Sequence, residues 1–187
     1  MKRNILWPGI AVVVLILFAW ISSSGAASVS IPNTQVQTGT ATIQVPIQIN
    51  QAEGIAGFQF ALVFDPTVLQ ATGWSKGSLT SGNFWNPVGN LNLPGQVMIG
   101  AYGFNAGPPP EIKSLAAGTG RLVEIIFKVL GGAGGYTYVS LTGCKLADSS
   151  GLEITSTCLA GLISIVQDDS PRELYLPLIF NDYQVSH

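Results

Sequence analysis

The chain has 187 residues, a formal charge of −2, only 10% charged residues and a single histidine. That length suits one domain of ordinary size, and eight scattered basic residues form no stripe for nucleic acid. The one imidazole is His187, so a Ser-His-Asp or Cys-His mechanism has no internal base and a His-rich metal site has no ligands.

Met1-Lys2-Arg3 is a short positive start, followed by 17 uncharged residues from Ile5 to Ile21. Ser22-Ser23-Ser24-Gly25-Ala26-Ala27 then supplies small residues. Basic, apolar and small segments in that order describe a signal peptide over 1–27, cleaved after Ala26 or Ala27. The other reading is an uncleaved anchor, since the run is at the lower limit for spanning ~30 Å of hydrocarbon. Either way the rest of the chain is secreted or attached at the cell surface. Without Lys2 and Arg3, six basic and ten acidic residues remain, a net charge of −4.

Val29 to Ile31 opens the domain expected over 28–167. Thr42 to Ile49 alternates polar and apolar residues, with Ile43, Val45, Ile47 and Ile49 inward. Pro46 lacks an N–H and suggests an edge strand or the solvent side of one. Gly57 to Phe64 alternates again, with Phe58, Phe60, Leu62 and Phe64 on one face, and Asp65-Pro66 starts a turn. Gln96 to Phe104 turns Val97, Ile99 and Ala101 inward. Leu122 to Val129 does the same with Val123, Ile125, Phe127 and Val129. Tyr138 to Thr142 and Leu159 to Ile165 are shorter strands. Turn-rich clusters at 51–54, 86–95, 105–110 and 131–135 separate these runs, which indicates an all-β sandwich of nine or so strands. Residues 168–173 read as a polar linker, and Leu174 to Phe180 as a short apolar tail.

Cys144 and Cys158 flank a turn at Asp148-Ser149-Ser150-Gly151. In an oxidising compartment they form either a disulfide, worth roughly 3 kcal/mol by chain entropy, or two small buried thiols.

The ordered segments resemble a cohesin domain, the scaffold module of cellulosome-type assemblies. The resemblance runs through Thr42–Ile49, Gly54-Ile55-Ala56-Gly57-Phe58-Gln59-Phe60, Phe64-Asp65-Pro66 and Val68-Leu69. It continues through Pro94-Gly95-Gln96-Val97, Gly118-Thr119-Gly120-Arg121-Leu122, Ile125-Ile126-Phe127-Lys128-Val129, Leu146-Ala147-Asp148, Gly151 and Gly161-Leu162-Ile163-Ser164-Ile165. It implies a nine-stranded jelly-roll β-sandwich, similar to family-3 carbohydrate-binding modules. It also implies a non-catalytic module without cofactor that binds a dockerin on another secreted protein. In relatives the strand after Gly-Ile-Ala supplies an Asn and, two residues on, an Asp. Here those positions are Gly57 and Gln59, a departure that concerns the partner rather than the fold.

Alternation identifies a face for such a partner. Gln59, Ala61 and Val63 point outward, as do Met98, Gly100, Tyr102 and Phe104 on the next strand, and Tyr138, Ser140 and Thr142 on another. This face is small, apolar and aromatic, with hardly a charge, as interface centres are. The protein-binding residues expected are Gly57, Gln59, Ala61, Met98, Gly100 and Tyr102, with Leu152 and Glu153 in the adjoining turn. The bland reading is that loops 77–95 or 105–118, or the C-terminal tail, cover the face. A second function is polysaccharide binding, with Trp85, Phe104 and Tyr138 as stacking platforms. A glycosidase needs two carboxylates in a cleft, and Asp148 and Glu153, which flank the same hairpin end, are the only plausible pair. As solvated turn residues they fit that role poorly. Asp148 with loop carbonyls is a conceivable calcium ligand, but no Asp-x-Asp-x-Asp-Gly run exists, so no metal site is expected.

Overall fold

A computed structural model describes residues 26–167, and every described element is a strand. In chain order these are β1 (Ala27–Ser30), β2 (Thr34–Gln37), β3 (Thr42–Ile49), β4 (Gly57–Val63), β5 (Leu69–Lys76), β6 (Val88–Leu93) and β7 (Gln96–Tyr102). There follow β8 (Phe104–Asn105), β9 (Glu111–Ile112), β10 (Gly120–Val129), β11 (Tyr136–Ala147), β12 (Glu153–Ile154), β13 (Ser156–Leu159) and β14 (Gly161–Val166). Residues 1–25 of the segment read as leader, and the linker and tail from 168 onward, lie outside the described residues, whereas Ala27, read as the leader's last residue, is buried and opens β1.

Two sheets pack face to face. One has the order β13-β1-β3-β10-β5, and the other runs β2-β14-β11-β4-β7-β6 with β12 paired to β11. β1 and β2 are one strand broken around Pro32, and β13 and β14 one strand broken at Ala160. Counted that way, and leaving out the two-residue pieces, the chain forms the nine-stranded sandwich that the resemblance implies. Both broken strands change sheet at the break. β1 pairs in parallel with β13 in the first sheet, and β2 in parallel with β14 in the second.

Alternation places the core. Val45, Ile47, Val123, Ile125 and Phe127 face Phe60, Leu62, Val97, Ile99 and Val139, all at most 1% exposed. Each such side chain contributes roughly 1.5–3 kcal/mol by leaving water. Phe64 and Phe127 meet edge to face at 4.9 Å, tying β4's end to β10.

Some expectations need correction. β3 is not an edge strand, because β1 and β10 flank it. Its pairing with β1 reaches only Ile49 and Gln48, while Pro46 pairs with Glu124 of β10. Pro46 therefore stands beyond the end of β1, where no N–H is required of it. Residues 88–93, read as part of a turn cluster, are the edge strand β6. β5 has no counterpart in the periodic pattern, since its pairing with β10 slips between Ile126 and Phe127. β11 has twelve residues, far longer than the five expected.

A disulfide joins Cys144 of β11 to Cys158 of β13, with Cα atoms 6.1 Å apart. It links the two sheets.

Candidate binding face

Residues directly opposite in antiparallel strands point to the same side, so the register writes the outer face as rows across β11, β4, β7 and β6. The first row is Glu153, Ala147, Gly57 and Tyr102, with β12 supplying Glu153. The second is Lys145, Gln59, Gly100 and Val88. The third is Thr142, Ala61, Met98 and Asn90. The fourth is Ser140, Val63, Gln96 and Leu93.

Seven of the eight residues expected to bind protein fall in the first three rows. The eighth, Leu152, lies in the turn beside Glu153 and is 68% exposed. That turn is rigid for a local reason. Asp148 Oδ1 accepts hydrogen bonds from the Ser150 N–H and hydroxyl and from the Leu152 N–H, at 2.6–3.0 Å. The Ser150 hydroxyl, then the Leu152 N–H, hold the Asp148 carboxyl below the usual carboxylate range.

The face is open. Tyr102 is 67% exposed, and Met98, Val63 and Val88 are also exposed. The segment 88–93 extends this sheet at its edge instead of folding over it, and β8 and β9 form a small ribbon beyond its end. Among the described residues nothing covers the centre of the face.

Lys145 is the residue that sequence reasoning missed. Strict alternation from Tyr138 through Thr142 would have put Cys144 outward. A register shift between Thr142 and Lys145, with Gly143 at φ +60°, turns Lys145 outward instead. The signal was Gly143 inside a strand, which often marks a bulge.

A family model for the cohesin domain matches residues 27–165. The chain is a member of the cohesin family. A non-cellulosomal cohesin from the archaeon Archaeoglobus fulgidus is similar in structure, with TM-score 0.62 and 20% identity over 76% of this chain and 92% of that one. A type I cohesin in a cohesin–dockerin complex from Clostridium thermocellum has TM-score 0.62 and 14% identity, covering 76% of this chain and 95% of that one. The cohesin module of a family 33 glycoside hydrolase from Clostridium perfringens has TM-score 0.58 and 11% identity, covering 77% and 98%. Comparison with curated protein sequences finds no match.

Cohesins are non-catalytic binding modules, and the structure corrects one side reading of this cohesin. Trp85 is no stacking platform: it is 4% exposed and stacks on Phe58 at 5.9 Å. A backbone bridge between Trp85 and Gly103 turns the indole inward and its neighbour Phe84 outward. The other two sugar-stacking candidates lie at opposite ends of the sheet. Phe104 follows Tyr102, with ring centroids 6.2 Å apart, while Tyr138 pairs with Leu162 beyond the Ser140 row. The three aromatics therefore form no planar array. Asp148 is a half-exposed turn residue and Glu153 an exposed residue of β12 paired with Ala147, and no group of three or more His, Cys, Asp or Glu that could hold a metal occurs among the described residues.

Proposed function

We propose that this cohesin is an extracytoplasmic assembly module that receives a dockerin-like domain of another secreted protein on the outer face of β11, β4, β7 and β6. The observation that carries the reading is a nearly uncharged sheet face, left open by the described residues, in a chain whose family binds without catalysing. The contact residues are Gly57, Gln59, Ala61, Met98, Gly100 and Tyr102, with Leu152 and Glu153 at one border and Lys145 within the second row. The leader-like N-terminus and the Cys144–Cys158 bridge support a location outside the cytoplasm. The assembly it serves is one that degrades polysaccharide or organises the cell surface.

The test is capture of dockerin modules cloned from the same organism's secreted proteins. Gln59→Arg with Tyr102→Asp should abolish capture and leave the melting temperature within a few degrees, since both side chains are exposed. Undiminished capture removes this face from consideration. Retention of the wild-type protein on cellulose or chitin, with no dockerin captured, transfers the function to polysaccharide binding.

A further inference from the structure

Gly57 and Gly100 lie at the centre of the face, on adjacent strands and in neighbouring rows. Glycine weakens a strand interior, so each needs a reason. Backbone conformation does not supply one, because neither has positive φ. Crowding does not either. A Cβ on Gly57 would come no nearer than 3.6 Å to another atom, the Ala101 carbonyl oxygen, and one on Gly100 no nearer than 3.4 Å, the Phe58 carbonyl oxygen. The contrast with nearby glycines is sharp. A Cβ on Gly89 would sit 2.5 Å from Ile99 Cδ1, and one on Gly103 would overlap the Lys113 carbonyl. Packing against backbone requires glycine at 103, and a Cβ at 89 would have to displace Ile99 Cδ1, whereas neither constraint applies at 57 or 100.

The missing side chain at Gly100 leaves a hollow. Two adjoining depressions of about 500 and 390 Å³ meet there, sharing Gln59, Val88 and Gly100. Phe84, Tyr102 and Phe104 wall the larger one. Those walls are held in place. The Phe104 N–H donates to the Phe84 carbonyl at 2.8 Å, and the Lys113 ammonium sits 5.7 Å from the Phe84 ring centre. In the same row, across Gln59, stands Lys145, with no carboxylate within 4.0 Å among the described residues.

We propose that the hollow over Gly100 is an anchor pocket for one large apolar side chain of the protein partner, of the leucine or phenylalanine class, with an acidic residue beside it facing Lys145. A preformed apolar pocket with a desolvated centre is where a single anchor side chain gains most. Lys145, the one cation in these rows and without a paired carboxylate among the described residues, sets the sign of the neighbouring charge. The proposal rests on the reading that this face receives a protein.

The experiment is a backbone-amide NMR titration of the full chain with N-acetyl-leucine amide and N-acetyl-phenylalanine amide, and with N-acetyl-serine amide as control. Shifts should centre on Phe84, Val88, Gly100 and Tyr102 with the apolar probes and be absent with serine. Gly100→Val should lose them without a lower melting temperature, because valine suits a strand and its Cβ has room. N-acetyl-aspartyl-leucine amide should bind severalfold tighter than the uncharged leucine probe, and Lys145→Ala should remove only that gain. Shifts centred elsewhere, an equal response to serine, no response at all, or an unchanged response in Gly100→Val would overturn the pocket. A missing aspartyl gain would overturn the acidic neighbour. If Gly100→Val still captures a dockerin that Gln59→Arg with Tyr102→Asp cannot, the face is right and the pocket wrong. If the probes bind and no dockerin is captured, the pocket stands and the dockerin reading falls.

Discussion

Asp65 and Asp148 each close a turn with their own carboxylate. Asp65 Oδ1 accepts from the Thr67 hydroxyl at 2.7 Å and the Thr67 N–H at 2.8 Å, and these bonds hold its carboxyl below the usual range. Asp148 is lowered in the same way by Ser150 and Leu152. A carboxylate depressed in the folded state adds stability above its unfolded pKa and loses it as pH falls through the folded one. Denaturant stability should therefore be level from neutrality down to about pH 4 and decline below it. Asp65→Asn with Asp148→Asn should make that acid decline shallower, and urea titrations across the acid range would show an unchanged decline if these turns do not contribute. At the residue scale the sequence was legible wherever the alternation was unbroken: Phe58, Phe60, Leu62, Val97 and Ile99 are buried as read. Trp85 was not legible. Two adjacent aromatics in Asn83-Phe84-Trp85-Asn86 carry no period of their own, and only the backbone bridge to Gly103 decides which one turns inward.

The elements that escaped sequence reading share a physical cause. β6 is an edge strand with all but one residue exposed, so its Val-Gly-Asn-Leu-Asn-Leu carries no inward and outward contrast. β5 slips register opposite β10, which breaks the period of two that would have revealed it. The far half of β11 is hidden by the shift at Gly143, and Lys145 is hidden with it. That half is held by the bridge from Cys144 to Cys158, across a sequence separation of 14. A covalent loop of that size restricts the unfolded chain by about 3 kcal/mol in the entropy account. Cys144→Ser with Cys158→Ser should lower the unfolding free energy by about that amount, measured in urea under non-reducing conditions. Wild-type protein in reductant should match the variant. Equal stability of oxidised wild type and variant would mean that the bridge adds nothing beyond the two packed sheets.

At the scale of the whole molecule, the scarcity of charge has a structural address. The inner faces of the two sheets hold the buried apolar core, and the ion pairs among the described residues lie away from the centre of the outer face. Arg121 and Glu124 pair on β10 in the opposite sheet, and Lys113 pairs with Glu111 beyond β7. Across the first three rows of the outer face only Lys145 and Glu153 are ionisable at neutral pH. An interface built there removes apolar area from water and few charges. Its thermodynamics should show this. Association with a dockerin should have a clearly negative heat-capacity change, because buried apolar surface is its robust source. Affinity should fall only slightly with added salt, since one cation and one carboxylate of opposite sign leave little net field to screen. Calorimetry at several temperatures and salt concentrations measures both quantities on one preparation. A heat-capacity change near zero together with a steep loss of affinity in salt would locate the partner on a charged surface instead. The polar outer side of β3 and β10 would then be the face to examine.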